Sequence, residues 1–429
     1  MKTFKAAGDR IIIALSVVLA IALLSGSVRA DQLPLSQPEK VGLSSDRLKH
    51  LMATLKAEVE TGRLPGAVIA IARRGLLAHF ESVGFRDPEA NAAMPRDAIF
   101  SIASMTKPMV SVAIMMLHEE GKLFLFDPVD KYLPALANMQ LAVTKIDGTV
   151  DIVPAARQPT IQDLLRHTSG FTYGSNGTTE AHEMQPVSSS FAALNYTGPE
   201  FIDLLSKAPL INQPGAVWDY GLSVDVLGLI VEAITGKSLG AFLEDRIWKP
   251  LGMVDTSFVV PDAKGARYAR AFPKDPLTSQ PQVVLHAIDR PLKFECGGGC
   301  AVSTAMDYLR FAQMLANKGT LDGQRILSRK TLELMTSDQL DPNVRARTTS
   351  TVLAEGYSFG LGFIVRTQIG RADLAGSTGE FAWGGAFGTY FWVDPQEDLA
   401  VVFMAATPSE LRAHFRALVK NLVLASIVD

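Results

Sequence analysis

The chain has 429 residues, of which 48% are hydrophobic, and a formal net charge of −3. A chain of this length and apolar content can bury a large core, which excludes a mainly disordered protein. Acidic and basic residues are mixed along the chain, and this balance disfavours a nucleic-acid-binding face. The composition therefore favours a folded protein that acts on a small or neutral partner.

The first thirty residues differ in character from the rest. Basic residues up to Arg10 precede an apolar run over residues 11–24, and small and polar residues follow as far as Ala30. This order is typical of a secretory signal peptide, with cleavage expected between Ala30 and Asp31. The apolar run is shorter than the roughly 20 residues that a membrane-spanning helix needs, so a retained N-terminal anchor is the less favoured alternative. We expect a periplasmic or secreted mature protein with no stable membrane span.

The next elements read as a helix and a hairpin. Apolar residues recur on one helical face between a Ser44-Ser45-Asp46 start and Gly62. The runs GAVIAIARRG and LLAHFESVG are rich in β-forming residues and are separated by Arg73-Arg74-Gly75, which predicts two antiparallel strands. From Ser104 to Gly121 the pattern is helical again.

The rest of the chain divides into a helical middle and a strand-rich end. Residues 122–290 mix short helical segments with Pro- and Gly-rich loops. FGLGFIVRT, AFGTYFWVDP and LAVVFMAAT then read as strands, with a turn over residues 394–398 and a final helix in SELRAHFRALVKNLVLASI. Strands at both ends with helices between them predict one sheet built from the two chain ends.

The two cysteines, Cys296 and Cys300, both lie in the stretch ECGGGC. Two ligands are too few for a zinc site unless other residues join them, so no metal site is expected. Export and the flexible triglycine favour a disulfide in a small loop. Two reduced, buried thiols are an equally weighted alternative.

The stretch SIASMTKPMV places Ser104 and Lys107 three positions apart at the predicted start of a helix. Side chains at positions i and i+3 share a helix face, so both can point into one cleft. A serine nucleophile needs a group that takes its proton, and a lysine can do so only when its surroundings lower its pKa. The spacing fits an activated nucleophile, whereas an N-cap serine beside a solvated lysine is the alternative.

Tyr220, in WDYGLSVDVLG, is a candidate partner for this pair. A phenol beside a cationic lysine can be held as phenolate and can act as a general base. The alternative is that Tyr220 packs beside Trp218 at the entrance to a helix.

The segment Trp383-Gly384-Gly385-Ala386 is expected to begin a strand. Glycines in a strand allow the backbone to approach a ligand closely. The backbone amide of Ala386 could then join that of Ser104 in an oxyanion hole. A bulge in an edge strand is the alternative.

Taken together, Ser104-Met105-Thr106-Lys107, Tyr220 with Ser223, and Trp383-Gly384-Gly385 resemble, in order and spacing, the three motifs of the serine β-lactamase and penicillin-binding-protein superfamily. The resemblance is closest to class C β-lactamase-like carboxylesterases, the family VIII esterases, and covers nearly all of residues 35–425. It implies an α/β fold in which an antiparallel sheet built from both chain ends is flanked by helices. The implied hydrolase domain spans residues 31–429, with an α/β lobe at 31–110 and 291–429 and an inserted, mostly helical lobe at 111–290.

The resemblance also implies roles for individual residues. Ser104 is the acylated nucleophile, Lys107 and Tyr220 activate it, and the backbone amides of Ser104 and Ala386 bind the oxyanion. The implied substrate-binding residues are Ser223, Trp383, Gly384 and Gly385. Which of Lys107 and Tyr220 is the resting-state base stays open, and no cofactor or metal is implied.

Two departures from the class C β-lactamases bear on the substrate. Those enzymes carry Lys-Thr-Gly where this chain has Trp383-Gly384-Gly385, and usually asparagine where it has Ser223. Loss of a cation and gain of an indole favour neutral esters over anionic β-lactams. The sequence therefore predicts an exported serine hydrolase of small carboxylic esters. The alternatives are a β-lactamase, a D-amino-acid peptidase or amide hydrolase, an acyltransferase, and an inactive cell-wall peptide-binding protein.

Three other polar residues are not expected to take part in catalysis. His167, in HTSG, is expected to be a structural histidine at a helix end, because no nucleophile-elbow motif accompanies it. Asp87 and Glu380 are expected to be solvated at the surface.

Overall fold

A computed structural model describes residues 33–145, 149–282, 291–348, 350 and 352–429. The predicted signal peptide, residues 1–30, lies outside this part of the chain. Among the described residues no single helix is long and apolar enough to cross a membrane. Only the pair Ser223–Thr235 and Leu239–Trp248 reaches that length and composition, across a bend of 78°.

The helices are α1 (Ser45–Glu60), α2 (Thr106–Glu119), α3 (Ile161–Leu165), α4 (Glu180–Glu183), α5 (Ser189–Asn195), α6 (Gly198–Lys207), α7 (Ser223–Thr235), α8 (Leu239–Leu243), α9 (Ala305–Ala316), α10 (Arg329–Met335), α11 (Pro342–Ala346) and α12 (Leu411–Leu424). The strands are β1 (Gly66–Arg73), β2 (Leu76–Asp87), β3 (Ala92–Ala93), β4 (Phe100–Ser101), β5 (Gln140–Thr144), β6 (Val150–Pro154), β7 (Val302–Ser303), β8 (Thr320–Leu321), β9 (Gln324–Arg325), β10 (Tyr357–Phe359), β11 (Ile364–Arg366), β12 (Phe381–Gly384), β13 (Tyr390–Asp394) and β14 (Leu399–Ala405).

The main sheet has eight antiparallel strands in the order β10-β11-β12-β13-β14-β1-β2-β3. The N-terminal strand β1 pairs with the C-terminal strand β14, from Ala67 opposite Ala405 to Arg73 opposite Leu399. The sheet is thus built from both ends of the chain, and the prediction is confirmed. The predicted hairpin also forms, and its turn residues Arg74 and Gly75 both have positive φ, as a two-residue type I′ turn requires.

The stretch FGLGFIVRT, predicted as one strand, forms two. Residues 360–363 separate β10 from β11 and carry the chain back antiparallel to itself. Gly362 in this turn has φ 98°, a conformation that glycine adopts without steric cost. In the middle of the chain, β5 and β6 form a hairpin that the sequence pattern did not indicate.

Both faces of the sheet are covered by helices. Alternate residues of β1 point to opposite sides, so Val68 joins one apolar cluster and Ile69 the other. Helix α9 packs on the first side, whereas α1 and α12 cover the second. Because both faces of β1 are buried, its sequence is a continuous apolar run and does not alternate between apolar and polar residues.

Helix α2 runs through the first cluster and positions the candidate site. Every residue from Thr106 to Leu117 is buried. Pro108 is accommodated in the first turn, where its missing amide proton breaks no intrahelical bond. A helix that is apolar on all sides must be enclosed by protein, so its N-terminal turn has a fixed position.

The surface position expected for Glu380 is wrong, whereas Asp87 remains partly exposed. The buried Glu380 carboxylate contacts Lys420 of α12, accepts a hydrogen bond from Tyr357 at 2.8 Å and lies 3.4 Å from the Arg366 guanidinium. A charge is kept in an interior only where partners replace its water. These contacts connect α12 to strands β10 and β11.

Asp307, in the first turn of α9, is a second buried carboxylate. It accepts hydrogen bonds from the Asp255 amide at 2.7 Å and the Thr256 hydroxyl at 2.9 Å. Burial outweighs these bonds and raises its pKa to about 6. Because the folded state holds this proton more tightly than the unfolded state, the associated stability is present at low pH and is lost as pH rises through about 6.

Asp307→Asn is therefore expected to flatten the pH dependence of stability. Between about pH 5 and pH 7.5 the free energy of unfolding of the parent protein should fall by ~1 kcal/mol more than that of the variant. Urea unfolding at both pH values measures the difference. Parallel losses in the two proteins would contradict the assignment.

Candidate active site

Ser104 lies in a single 3₁₀ turn, Ala103–Met105, directly before α2. Ala103 has φ 43°, a left-handed conformation that is costly for a residue with a Cβ. Hydrogen bonds on either side maintain the turn: the Thr106 hydroxyl donates to the Ala103 carbonyl, and the Tyr308 hydroxyl donates to the Met105 carbonyl, both at 2.7 Å. The surrounding structure thus holds the chain in a sharp bend at Ser104.

The Ser104 side chain is half-buried. Within the described part of the chain, neither its hydroxyl nor its backbone amide makes a hydrogen bond. Ser104 is therefore not an N-cap residue. Both of its polar groups are available to a bound molecule.

Lys107 is 1% exposed, which excludes the solvated alternative. Its ammonium group donates to the Tyr173 hydroxyl at 2.9 Å and to the Gly298 carbonyl at 2.6 Å, and lies 4.5 Å from the centre of the Tyr220 ring. Burial alone lowers the pKa of Lys107, but the electrostatic influence of Tyr173, Tyr220 and Asp225 raises it above its ordinary value. Lys107 is therefore a cation at neutral pH.

The face of the Tyr220 ring lies against Lys107, and the expected packing beside Trp218 is present, whereas the role of Tyr220 as a base stays a prediction. It stacks on Trp218 at 6.2 Å between ring centres, and it also contacts the rings of His167 at 4.7 Å and Trp383 at 5.2 Å. Its hydroxyl is buried and has no hydrogen-bond partner among the described residues. An unpaired buried hydroxyl is costly, so such a group is a candidate for contact with substrate or water.

The expectation that the third motif begins a strand is wrong. Trp383 and Gly384 end β12, an interior strand, and Gly385 and Ala386 belong to the turn that leads to β13. The Gly385 amide donates to Thr389 at 2.9 Å and closes this turn. A Cβ on Gly385 would lie 2.2 Å from the Ile102 carbonyl oxygen, so only glycine lets this turn approach the Ser104 segment so closely.

Ala386 is exposed, and its amide has no backbone partner in the described ranges. The preceding carbonyl, of Gly385, accepts a hydrogen bond from Arg416 of α12. Trp383 is 5% exposed and presents an apolar wall beside Tyr220. The oxyanion pair of Ser104 and Ala386 stays a prediction that this arrangement permits.

Ser223 is the first residue of α7. It is fully buried, and its hydroxyl shares a hydrogen bond of 2.8 Å with that of Ser169. A substrate contact by Ser223 therefore has no support in this arrangement.

A disulfide joins Cys296 and Cys300, and both cysteines are buried. The bridge closes a turn whose central residue, Gly298, provides the carbonyl that accepts a hydrogen bond from Lys107. The Gly298 amide donates to the Asp225 carboxylate at 2.8 Å. The cysteine loop is thus part of the environment of the lysine.

Sequence reasoning missed four groups around Lys107, namely Tyr173, Ser189, Asp225 and Gly298. The Tyr173 and Ser189 hydroxyls lie 3.0 Å apart, and Ser189 donates to Asp225 at 2.7 Å. Tyr173 follows the stretch LLRHTSGF by two positions, and Asp225 follows Ser223 by two. Asp225 stands among apolar residues at the start of α7. An acidic residue in such a position was the one local sign that its carboxylate is buried and hydrogen-bonded.

Comparison with known proteins identifies the family to which this geometry belongs. The family model described as Beta-lactamase matches residues 48–424. The chain belongs to the Beta-lactamase family. Esterase EstB of Burkholderia gladioli is 30% identical over 369 residues, which cover 81% of this chain and 87% of that relative. The resemblance to the serine β-lactamase and penicillin-binding-protein superfamily, and to its family VIII esterases, is confirmed.

Solved structures of two other proteins share the fold of this chain. Simvastatin synthase (LovD) from Aspergillus terreus has a TM-score of 0.76 at 23% identity and covers 89% of this chain and 99% of its own. EstCE1, a hydrolase with promiscuous acyltransferase activity, has a TM-score of 0.73 at 24% identity, with 88% and 98% covered. The predicted fold class is confirmed. Family membership together with the esterase relatives identifies a serine hydrolase of the carboxylesterase type.

Proposed function

We propose that this protein hydrolyses small, neutral carboxylic esters through an acyl-enzyme on Ser104. The observation that carries the proposal is the placement of an unpaired Ser104 hydroxyl one helical turn from a fully buried Lys107 ammonium group, which faces the Tyr220 ring at 4.5 Å. Esterase EstB supports the reaction class by its similarity.

Tyr220 is the proposed base, because Lys107 has no free electron pair while it remains an ammonium ion. The Lys107 ammonium group lies over the face of the Tyr220 ring, 4.5 Å from its centre. The phenolate takes the proton of Ser104 as Oγ bonds to the ester carbonyl carbon, and the backbone amides of Ser104 and Ala386 bind the developing oxyanion. Tyr220 then gives the proton to the departing alkoxide, which leaves as the alcohol.

The second half of the reaction repeats these steps with water. Tyr220 removes a proton from water, the resulting hydroxide attacks the acyl carbonyl, and Ser104 leaves with the proton returned. The apolar wall of Trp383 supports uncharged substrates, because an indole stands where class C β-lactamases carry a lysine for a substrate carboxylate. We also propose that the protein is exported by its N-terminal leader.

A substrate panel tests the reaction class. We expect p-nitrophenyl acetate and butyrate to be hydrolysed with a kcat/KM at least about 100-fold above that for nitrocefin or D-alanyl peptides, since those substrates carry a carboxylate. A fluorophosphonate probe should modify the peptide that contains Ser104. Preferential nitrocefin or peptide turnover would contradict the ester assignment. Product diversion by an added alcohol would reveal acyl transfer.

A further inference from the structure

Asp225 is a buried carboxylate that the proposed chemistry does not use. It is fully buried in the first turn of α7. Among the described residues it forms no ion pair, and its oxygens accept hydrogen bonds from the Gly298 amide and the Ser189 hydroxyl. Burial raises the pKa of Asp225, and the positive charge of Lys107 opposes that rise. Burial of a carboxylate without a contacting cation lowers the stability of the fold. The hydrogen-bond partners of Asp225 should therefore indicate its role.

Both hydrogen bonds of Asp225 lead to Lys107. On one side, the backbone of Gly298 connects them, because its carbonyl accepts from Lys107 at 2.6 Å and its amide, in the preceding peptide group, donates to Asp225 at 2.8 Å. On the other side, the Tyr173 hydroxyl accepts from Lys107 at 2.9 Å and lies 3.0 Å from the Ser189 hydroxyl. The hydrogen bonds thus run from Lys107 through Tyr173 and Ser189 to Asp225, and return to Lys107 through the backbone of Gly298. We refer to this closed path as the ring.

When Asp225 is ionised, its carboxylate fixes the direction of the hydroxyl hydrogen bonds in this ring. An ionised carboxylate only accepts, so Ser189 must donate its single proton to Asp225. Ser189 can then only accept from Tyr173, and the Tyr173 oxygen is left to accept from Lys107. With the Gly298 carbonyl also an acceptor, Lys107 must donate two hydrogen bonds, which the ammonium form does best.

The side chains of the ring pack tightly against the backbone of Gly298. A Cβ on Gly298 would lie 2.3 Å from both the Asp225 carboxylate and the Ser189 hydroxyl, so the carboxylate approaches only because this residue is glycine. The Cys296–Cys300 disulfide closes the turn that carries Gly298. The ring therefore joins α2, α5, α7 and this turn at one point.

We propose that Asp225 is a positioning residue that sets the proton order of this ring and thereby holds the Lys107 ammonium group beneath the Tyr220 ring. It acts through Ser189, Tyr173 and the Gly298 peptide, without touching the reacting atoms. The effect on catalysis rests on the proposed function, in which Tyr220 takes the Ser104 proton beside the Lys107 cation.

Asp225→Asn tests the proposal, with Asp307→Asn as its matched control. The amide retains the size of the carboxylate but presents a donor, which conflicts with the proton order described above. Asp307 is also a buried carboxylate that accepts one backbone amide and one hydroxyl, and it does not contact Lys107. Both variants lose comparable hydrogen bonds, so only the connection to Lys107 differs.

For Asp225→Asn we expect kcat for p-nitrophenyl butyrate to fall ~10–100-fold with KM within about twofold, as for other groups that orient a catalytic side chain. The rising limb of the pH–rate profile should move about one unit higher, since a displaced Lys107 cation stabilises negative charge at the site less. The titratable groups around Lys107 are Tyr173, Tyr220, Asp225 and His167. Asp307→Asn should keep the parent profile. Should Asp225→Asn not fold, Ser189→Ala interrupts one side of the ring and should shift the profile in the same direction.

A second measurement does not depend on turnover. In ¹⁵N-lysine NMR, with the signal assigned through Lys107→Met, the Lys107 ammonium protons should exchange slowly in the parent and in Asp307→Asn but rapidly in Asp225→Asn. Unchanged exchange, or a kcat loss with an unshifted pH profile, would overturn the positioning role. A parent protein that shows no ester turnover and no fluorophosphonate adduct would instead overturn the proposed function, while the exchange rates still decide the role of Asp225.

Discussion

Replacement of Ser104 by alanine is expected to lower kcat/KM for p-nitrophenyl butyrate by a factor on the order of 10⁴ or more, because the acyl bond forms on the lost oxygen. The fold should survive, since Oγ of Ser104 makes no hydrogen bond within the described residues. Initial rates, thermal melting and intact-mass analysis after fluorophosphonate treatment measure the three consequences. The variant should melt like the parent and gain no adduct.

Ser111→Ala is the matched control for this substitution. Ser111 lies on α2, is fully buried, and its hydroxyl has no partner among the residues described. The change is chemically identical and occurs two helical turns away, so kcat/KM should remain within about twofold of the parent. Retention of more than roughly 1% of turnover by Ser104→Ala would remove Ser104 from its role as nucleophile.

Local sequence patterns predicted which backbone elements carry the candidate site, but they did not predict the charge state of its side chains. The spacing of Ser104 and Lys107 is set by three residues of chain and could be read directly. The partners of Lys107 lie 66 and 191 positions away, at Tyr173 and Gly298, and only the tertiary fold brings them together. The sequence therefore indicated an amine beside a hydroxyl but left open whether that amine is charged.

The errors concerned individual polar contacts that the pattern of apolar residues does not encode. Glu380 resembles a surface residue until Lys420 and Arg366 approach it from α12 and β11. Ser223 follows Tyr220 by one helical turn and its hydroxyl pairs with that of Ser169, so its contact with substrate stays a prediction. Gly385 could equally begin a strand or close a turn, and its bond to Thr389 decides between them. Hydrophobic periodicity predicted most of the main sheet and the principal helices because it reports burial, but it missed the turn between β10 and β11 and the β5–β6 pair. It carries no information on these polar pairings.

Tyr220→Phe separates the proposed base from the lysine beneath it. The change retains the ring that contacts His167, Trp218 and Trp383 and removes only the hydroxyl. Loss of a general base typically costs ~10²–10⁴-fold in rate, so kcat should fall by that factor with little change in KM. Because the lost hydroxyl is buried and unpaired among the described residues, the free energy of unfolding should stay level or rise by about 1 kcal/mol. Ester kinetics and urea unfolding on the same preparation measure both effects.

Tyr132→Phe is the matched control, because the Tyr132 hydroxyl donates a hydrogen bond to Asp127 and takes no part in the proposed chemistry. Its removal should leave kcat unchanged and lower the free energy of unfolding by about 1 kcal/mol, since a satisfied bond to a carboxylate is lost. The two substitutions thus have opposite expected effects: one removes activity without loss of stability, the other removes stability without loss of activity. A Tyr220→Phe variant that keeps more than about a tenth of the parent kcat would show that another group takes the Ser104 proton, and the charged state assigned to Lys107 would then be wrong.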